Sequence, residues 1–284
     1  MRVFAGFAPI AERYEGFILD LWGVIHDGVN PYPGAVAALE GLRGRPVLLL
    51  SNAPRRAYAA QKMLQRMGIP DDAYGSILTS GEACYSALLE RSDPWFAGLG
   101  HKVFFLGPVR DRNLIEGIDL VEVREPSAAD FVINTGPDDE RDPTDLGAFA
   151  EILAECFVAG LPMLCANPDL EVIRGGHRIL CAGSLAAEYA RLGGEVKTLG
   201  KPDVAIYQRA FTMLGVDPAR VVAVGDSLRT DITGARNAGI DAVMIAHGVD
   251  APVLGDIYDA GASERLDRVT AGLPVLGVMP RFCW

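Results

Sequence analysis

Short, unbroken apolar runs that end on polar residues constrain this chain most. Gly16-Phe17-Ile18-Leu19-Asp20-Leu21 and Pro46-Val47-Leu48-Leu49-Leu50-Ser51 are the first two. A strand with one wet face alternates apolar and polar residues, whereas a strand covered on both faces reads as a continuous apolar run. These runs therefore predict strands of a parallel sheet between helices. The intervening segments agree. Tyr32-Pro33-Gly34 opens a helical stretch through Leu42, ended by Gly44 and Pro46. Arg55 to Met67 reads as a second helix, stopped by Gly68 and Pro70. Strand, helix, strand, helix is the βαβ order.

The order returns near the end of the chain. Pro202 starts a helix to Leu214, Arg220 to Gly225 is a strand, Leu228 to Asn237 is a helix closed by Gly239, and Ala242 to Ile245 is the next strand. A middle block, Glu82 to Glu195, has its own strands at Val103–Leu106, Phe131–Ile133 and Met163–Cys165, with helices at Thr144–Ala159 and Leu185–Leu192. At 284 residues the chain is long for one core of roughly 100–200 residues. The simplest architecture is a doubly wound, Rossmann-like α/β core made from residues 1–80 and 196–284, with an α/β domain, residues 81–195, inserted into it.

In open α/β sheets, ligands bind beyond the carboxyl ends of the strands. The polar residues there are Asp20, Ser51, Asn52, Asp226 and Asp231, joined by Lys201 in the loop Gly200-Lys201-Pro202-Asp203. Clustered carboxylates repel and raise one another's pKa unless a cation neutralises them. Hard oxygen ligands in small number suit Mg²⁺, which keeps its waters and binds substrate phosphate. A lysine opposite can offset phosphoryl charge, and a serine hydroxyl can donate to a phosphoryl oxygen. Each residue also has a plainer use: Asp20 as a turn cap, Lys201 as a solvated loop lysine, Asp226 and Asp231 as helix-start acids, Ser51-Asn52 as turn chemistry.

Composition removes other classes. A net charge of −11 repels nucleic acid and anionic membranes. No stretch approaches 18 apolar residues and no signal peptide is read, so a cytoplasmic protein is expected. Five scattered cysteines without C-x-x-C fit buried thiols rather than zinc or disulfides. His101 and His247 show no metal spacing and read as structural or solvated. The zinc-protease, serine-hydrolase, Walker and dinucleotide-binding signatures do not occur.

Four segments, in order, resemble the motifs of the haloacid dehalogenase superfamily: Asp20-Leu21-Trp22-Gly23-Val24, Leu49-Leu50-Ser51-Asn52, Gly200-Lys201-Pro202-Asp203 and Gly225-Asp226-Ser227-Leu228-Arg229-Thr230-Asp231. Each alone is weak; four in order at strand ends are specific. The insertion resembles the large α/β cap of the NagD-like, class IIA branch, as do Pro31-Tyr32-Pro33-Gly34-Ala35, Ile77-Leu78-Thr79-Ser80 and Cys165-Ala166-Asn167-Pro168-Asp169. The resemblance implies a phosphatase of small phosphorylated metabolites. Asp20 would be the nucleophile, forming an aspartyl-phosphate. Asp20, Asp226 and the Trp22 carbonyl would ligate Mg²⁺, with Asp231 a ligand or a partner behind it. Lys201, Ser51, Asn52 and Trp22 would hold the phosphoryl group. A homodimer is left open.

The chain departs from the pattern at Trp22, where most phosphatases of the superfamily carry a second aspartate that moves the leaving-group proton. An indole cannot do so near neutral pH. A positioned general acid–base contributes about 10²–10⁴ in rate, or roughly 3–5 kcal/mol of barrier. Three consequences are open: substrates with good leaving groups, such as acyl or aryl phosphates; a replacement acid from the flap, with His26 and Asp27 nearest; or a protein that binds a phosphorylated ligand and turns it over poorly. Trp22 itself reads equally as a core plug or as a wall of the pocket. In the inserted domain, Asn167 and Asp169 face the substrate or merely form a turn at Pro168. Gly175-Gly176-His177 and Ala182-Gly183-Ser184 are candidates for a specificity loop.

Overall fold

A computed structural model describes residues 1–174 and 177–284. Two parallel sheets organise it. The first has six strands: β1 (Gly16–Leu19), β2 (Val47–Ser51), β3 (Ser76–Thr79), β11 (Val221–Gly225), β12 (Asp241–Ile245) and β13 (Val275–Met279), in the order β13-β12-β11-β1-β2-β3. The second has five: β4 (Lys102–Leu106), β5 (Val121–Val123), β6 (Phe131–Asn134), β7 (Met163–Cys165) and β10 (Val196–Thr198), in the order β10-β7-β6-β4-β5. A hairpin of β8 (Glu171–Arg174) and β9 (His177–Leu180) stands apart.

The unbroken apolar runs have the expected cause. Along β1, Phe17 and Leu19 enter one hydrophobic cluster and Ile18 the other, so both faces of the sheet are covered. Along β2, Val47 and Leu49 join the first cluster while Leu48 and Leu50 join the second. The second sheet repeats this: Val132 and Met163 pack on one face, Phe131 and Leu164 on the other.

Strand order places the site. The chain runs from β1 outward to β2 and β3, and returns on the other side of β1 at β11. Leu19 is level with Val224, and the Asp20 N–H donates to the Val224 carbonyl at 2.9 Å. The carboxyl ends of β1 and β11 thus flank the point where the winding reverses, where open sheets leave a crevice.

Three expectations need correction. Val196–Thr198 pairs with Met163–Cys165 in the second sheet, so the expected boundary at 196 falls three residues early. The segment read as one helix from Leu228 begins as a wide turn over Leu228–Ile232 and becomes α-helical at Thr233–Ala238. The segment from Thr144 starts its α-helix only at Ala150. Among the described residues, no helix is long and apolar enough to cross a membrane. All five cysteines are free, four of them buried.

Candidate active site

Asp20 leaves β1 at its carboxyl end and is 7 % exposed. Its Oδ1 accepts from the Leu21 N–H at 2.7 Å and from Lys201 Nζ at 2.7 Å. Lys201, 3 % exposed, also donates to Asp231 Oδ1 at 2.7 Å and to the Leu50 carbonyl at 3.2 Å. Burial opposes its charge, but Asp20, Asp231 and Asp169 outweigh that and hold its pKa well above the ordinary lysine value. The lysine is therefore a fixed cation, not a loop residue in solvent.

Asp226 follows β11, and its Oδ2 accepts from the Val249 N–H at 2.7 Å. Backbone closes tightly around this carboxylate: a Cβ placed on Gly23 or on Gly248 would overlap Asp226 Oδ2. Asp231 reaches inward because the turn before it is wide. The N–H groups of both Asp231 and Ile232 bond the Ser227 carbonyl at 3.0 Å. Asp20, Asp226 and Asp231 each bring a carboxylate oxygen within 4.8 Å of the others. Burial first, then the neighbouring carboxylates, pushes Asp20 up to about 8 and Asp226 well above the usual carboxylate range. Three buried carboxylates facing one ammonium form a hard-oxygen donor set with excess negative charge, which fits a divalent cation.

Ser51 ends β2 and Asn52 follows it, both 2 % exposed. The Asn52 amide ties three segments together. Its Oδ1 accepts from the Lys201 N–H at 2.8 Å, and its Nδ2 donates to the Lys201 carbonyl at 3.1 Å and to Asp169 Oδ1 at 2.9 Å. Asp169 comes from the loop after β7, shaped by Asn167 Oδ1 accepting from the Asp169 N–H at 2.9 Å. The Arg229 guanidinium donates to the Pro168 carbonyl at 2.5 Å and fastens that loop to the first sheet.

Two cavities meet here. One of about 350 Å³ contains Asp20, Asp226, Tyr32 and His247. The other, about 380 Å³, contains Ser51, Arg55, Met63, Arg110, Thr135 and Leu180. Trp22 lines both, its ring against the Gly28 backbone and edge-on to His26 at 5.1 Å between centroids. Its side chain thus walls the pocket and also packs against the first hydrophobic cluster.

The other candidates are placed as follows. His26 is fully buried, and its Nδ1 accepts from the Gly28 N–H at 3.0 Å; burial holds its pKa down to about 4. Asp27 spends its Oδ1 on the N–H groups of Val29 and Asn30. Neither of these two flap residues lines either cavity. Gly175 and Gly176 lie outside the described residues, and His177 is exposed. Ala182-Gly183-Ser184 starts a helix whose Gly183 N–H donates to the Asp169 carbonyl at 3.0 Å; it buttresses the loop instead of lining the pocket. His101 is exposed beside Asp119. His247, read as structural or solvated, stands in the cavity of Asp226, its ring 5.2 Å from that of Tyr32. Its spacing from other polar residues gave no signal, and neither did that of Arg55 or Arg229.

The family description haloacid dehalogenase-like hydrolase matches residues 17–121, and a HAD-hydrolase-like description matches residues 198–272. A solved hydrolase of the haloacid dehalogenase-like family from Brucella suis is 30% identical, with a TM-score of 0.83 over 98% of this chain and 99% of that one. The chain belongs to the haloacid dehalogenase-like hydrolases. Within that family, the D-glycerol 3-phosphate phosphatase of Mycobacterium tuberculosis is 28% identical over 92% of this chain and 69% of its own. A glycerol phosphate phosphatase of the same organism, solved in complex with magnesium, is 25% identical, with a TM-score of 0.64 over 87% of this chain and 74% of its own. The chain joins a six-stranded parallel sheet to a separate five-stranded one, the class IIA arrangement.

Proposed function

We propose that the protein is a Mg²⁺-dependent phosphatase of a small phosphorylated metabolite, acting through an aspartyl-phosphate on Asp20. One observation carries the reading: Asp20, bonded to the buried Lys201, opens into a cavity beside Asp226 and Asp231. Residues 1–80 and 199–284 would form the catalytic core, and 81–198 the cap that excludes water and selects substrate. Asp20, Asp226 and Asp231, with the Trp22 carbonyl, would hold Mg²⁺, which offsets carboxylate and phosphoryl charge when bound.

Asp20 attacks phosphorus, and Lys201 orients its carboxylate and favours its charged form against burial and Asp231. Ser51 would receive a phosphoryl oxygen, Asn52 would act on that group by holding Lys201 in place, and the leaving group would point past Trp22 into the second cavity. A catalytically weak phospho-ligand binding protein is the alternative, and Trp22 is what favours it. Phosphate release from p-nitrophenyl phosphate and acetyl phosphate, with and without Mg²⁺, separates the two. The phosphatase reading expects release that needs Mg²⁺ and is lost in Asp20→Asn. Phosphate binding without release from either substrate would favour the alternative.

A further inference from the structure

We infer that Asp169, brought into the site by the cap, moves the proton in this chain, in place of the acid that Trp22 displaces; the inference rests on the phosphatase reading above. Among the described residues, Trp22, Asp169 and Val172 line both cavities. They stand at the passage between the nucleophile and the space for the leaving group. Asp169 is the one of the three that can carry a proton near neutral pH.

Its surroundings suit the task. Two residues link Asp169 to the reacting group: Asn52, which bonds Asp169 and the Lys201 backbone N–H, and Lys201, whose ammonium bonds Asp20. The bonded partner of Asp169 is thus a neutral amide. Apart from Asp20 and Asp226, the other carboxyls in these cavities are committed elsewhere: Asp111 to Arg55, Asp138 to Arg141, Asp139 to Arg110 and the Val109 N–H, Glu171 to Arg178, and Asp250 to the Leu228 N–H. The charged groups bearing on Asp169 are Lys201, Arg229, Asp231 and Asp20. Burial lifts its pKa above the ordinary carboxylate value, against the pull of Lys201 and Asn52.

The chemistry balances. Protonated Asp169 gives its proton to the bridging ester oxygen as the P–O bond to the leaving group breaks and the bond from Asp20 forms. The alcohol leaves. Asp169, now a carboxylate, takes a proton from water whose oxygen attacks phosphorus. The Asp20–phosphorus bond breaks, phosphate departs, and both aspartates return to their starting states.

The two half-reactions need Asp169 differently with p-nitrophenyl phosphate. Its phenolate leaves without a proton, but the aspartyl-phosphate still needs activated water. With Mg²⁺, Asp169→Asn is expected to release about one p-nitrophenolate per site in a rapid burst. Steady turnover then follows at about 10²–10⁴-fold below the parent. Asp169→Glu is expected to recover at least about tenfold of that turnover, since a carboxylate remains. Asp20→Asn should show no burst. A burst slowed as much as the steady state, parental turnover in Asp169→Asn, or equal losses in the Asn and Glu variants would each overturn the assignment. A parent protein inert toward p-nitrophenyl and acetyl phosphates removes the phosphatase reading, and this inference with it.

Discussion

His26 shows how one residue's surroundings decide what it can do. Its ring is buried, and Nδ1 accepts a bond that a second proton would destroy. Burial, together with Arg55 and against Asp27, lowers its pKa from 6.5 to about 4. The unfolded chain takes up a proton near 6.5 that the folded chain refuses until about 4. Stability is therefore whole above that window and falls as pH drops through it, by on the order of 3 kcal/mol. Urea midpoints measured across this window should fall in the parent and fall less in His26→Gln, whose amide can still accept from Gly28. An equal fall in both proteins would move the acid sensitivity to other groups. The sequence placed His26 beside the site but could not show that its ring turns inward. Asp20, Ser51, Lys201 and Asp226 were legible because each ends a buried strand or opens a helix, positions that order alone reveals. His247 was not, since only folding brings it next to Asp226.

At the scale of elements, the flap after β1 sets the position of Trp22. Trp22 bridges to His26, and His26 to Pro31, folding the segment back on itself. Gly28 makes this possible: φ is +88°, and an added Cβ would lie 2.2 Å from Trp22 Cη2. Gly28→Ala should cost about 1–3 kcal/mol and displace the indole from both cavities. Gly44→Ala is the matched control, with φ +82° and nothing within 4 Å of the added carbon. Urea midpoints and p-nitrophenyl phosphate turnover should both drop further in Gly28→Ala; equal effects would show that the contact with Trp22 does not hold the flap. Periodicity carried the buried strands β1, β2, β11 and β12, whose two covered faces leave an unbroken apolar signature. It missed β5, β8, β9 and β10, which are three or four residues long and partly or largely exposed, and also β3 and β13 at the two edges of the first sheet. It also read Leu228 onward as a plain helix, because the widening that aims Asp231 at Lys201 comes from bonds to the Ser227 carbonyl, not from an apolar pattern.

For the whole molecule, the proposed Mg²⁺ site would couple folding to metal. Asp20, Asp226 and Asp231 lie on segments from both ends of the chain, and they come together only when β1 and β11 pair. The unfolded chain therefore offers no comparable site, and a cation that binds the folded state alone raises stability by mass action. At about 100 times the dissociation constant this amounts to about 2.7 kcal/mol. In a chain of this size it corresponds to a rise in Tm of roughly 4–5 °C. A surface of net charge −11 would also be steadied by any cation through screening. The site-specific part is the rise that Mg²⁺ produces beyond Na⁺ of equal ionic strength. Asp226→Asn should abolish that part while leaving the screening part, since it removes one donor and none of the folded scaffold. Thermal denaturation of parent and variant in the two salts reads both contributions. If the Mg²⁺ rise is as large in Asp226→Asn as in the parent, the ion is acting on the acidic surface, and the buried carboxylates keep only their protein partners, Lys201 for Asp20 and Asp231 and the Val249 N–H for Asp226.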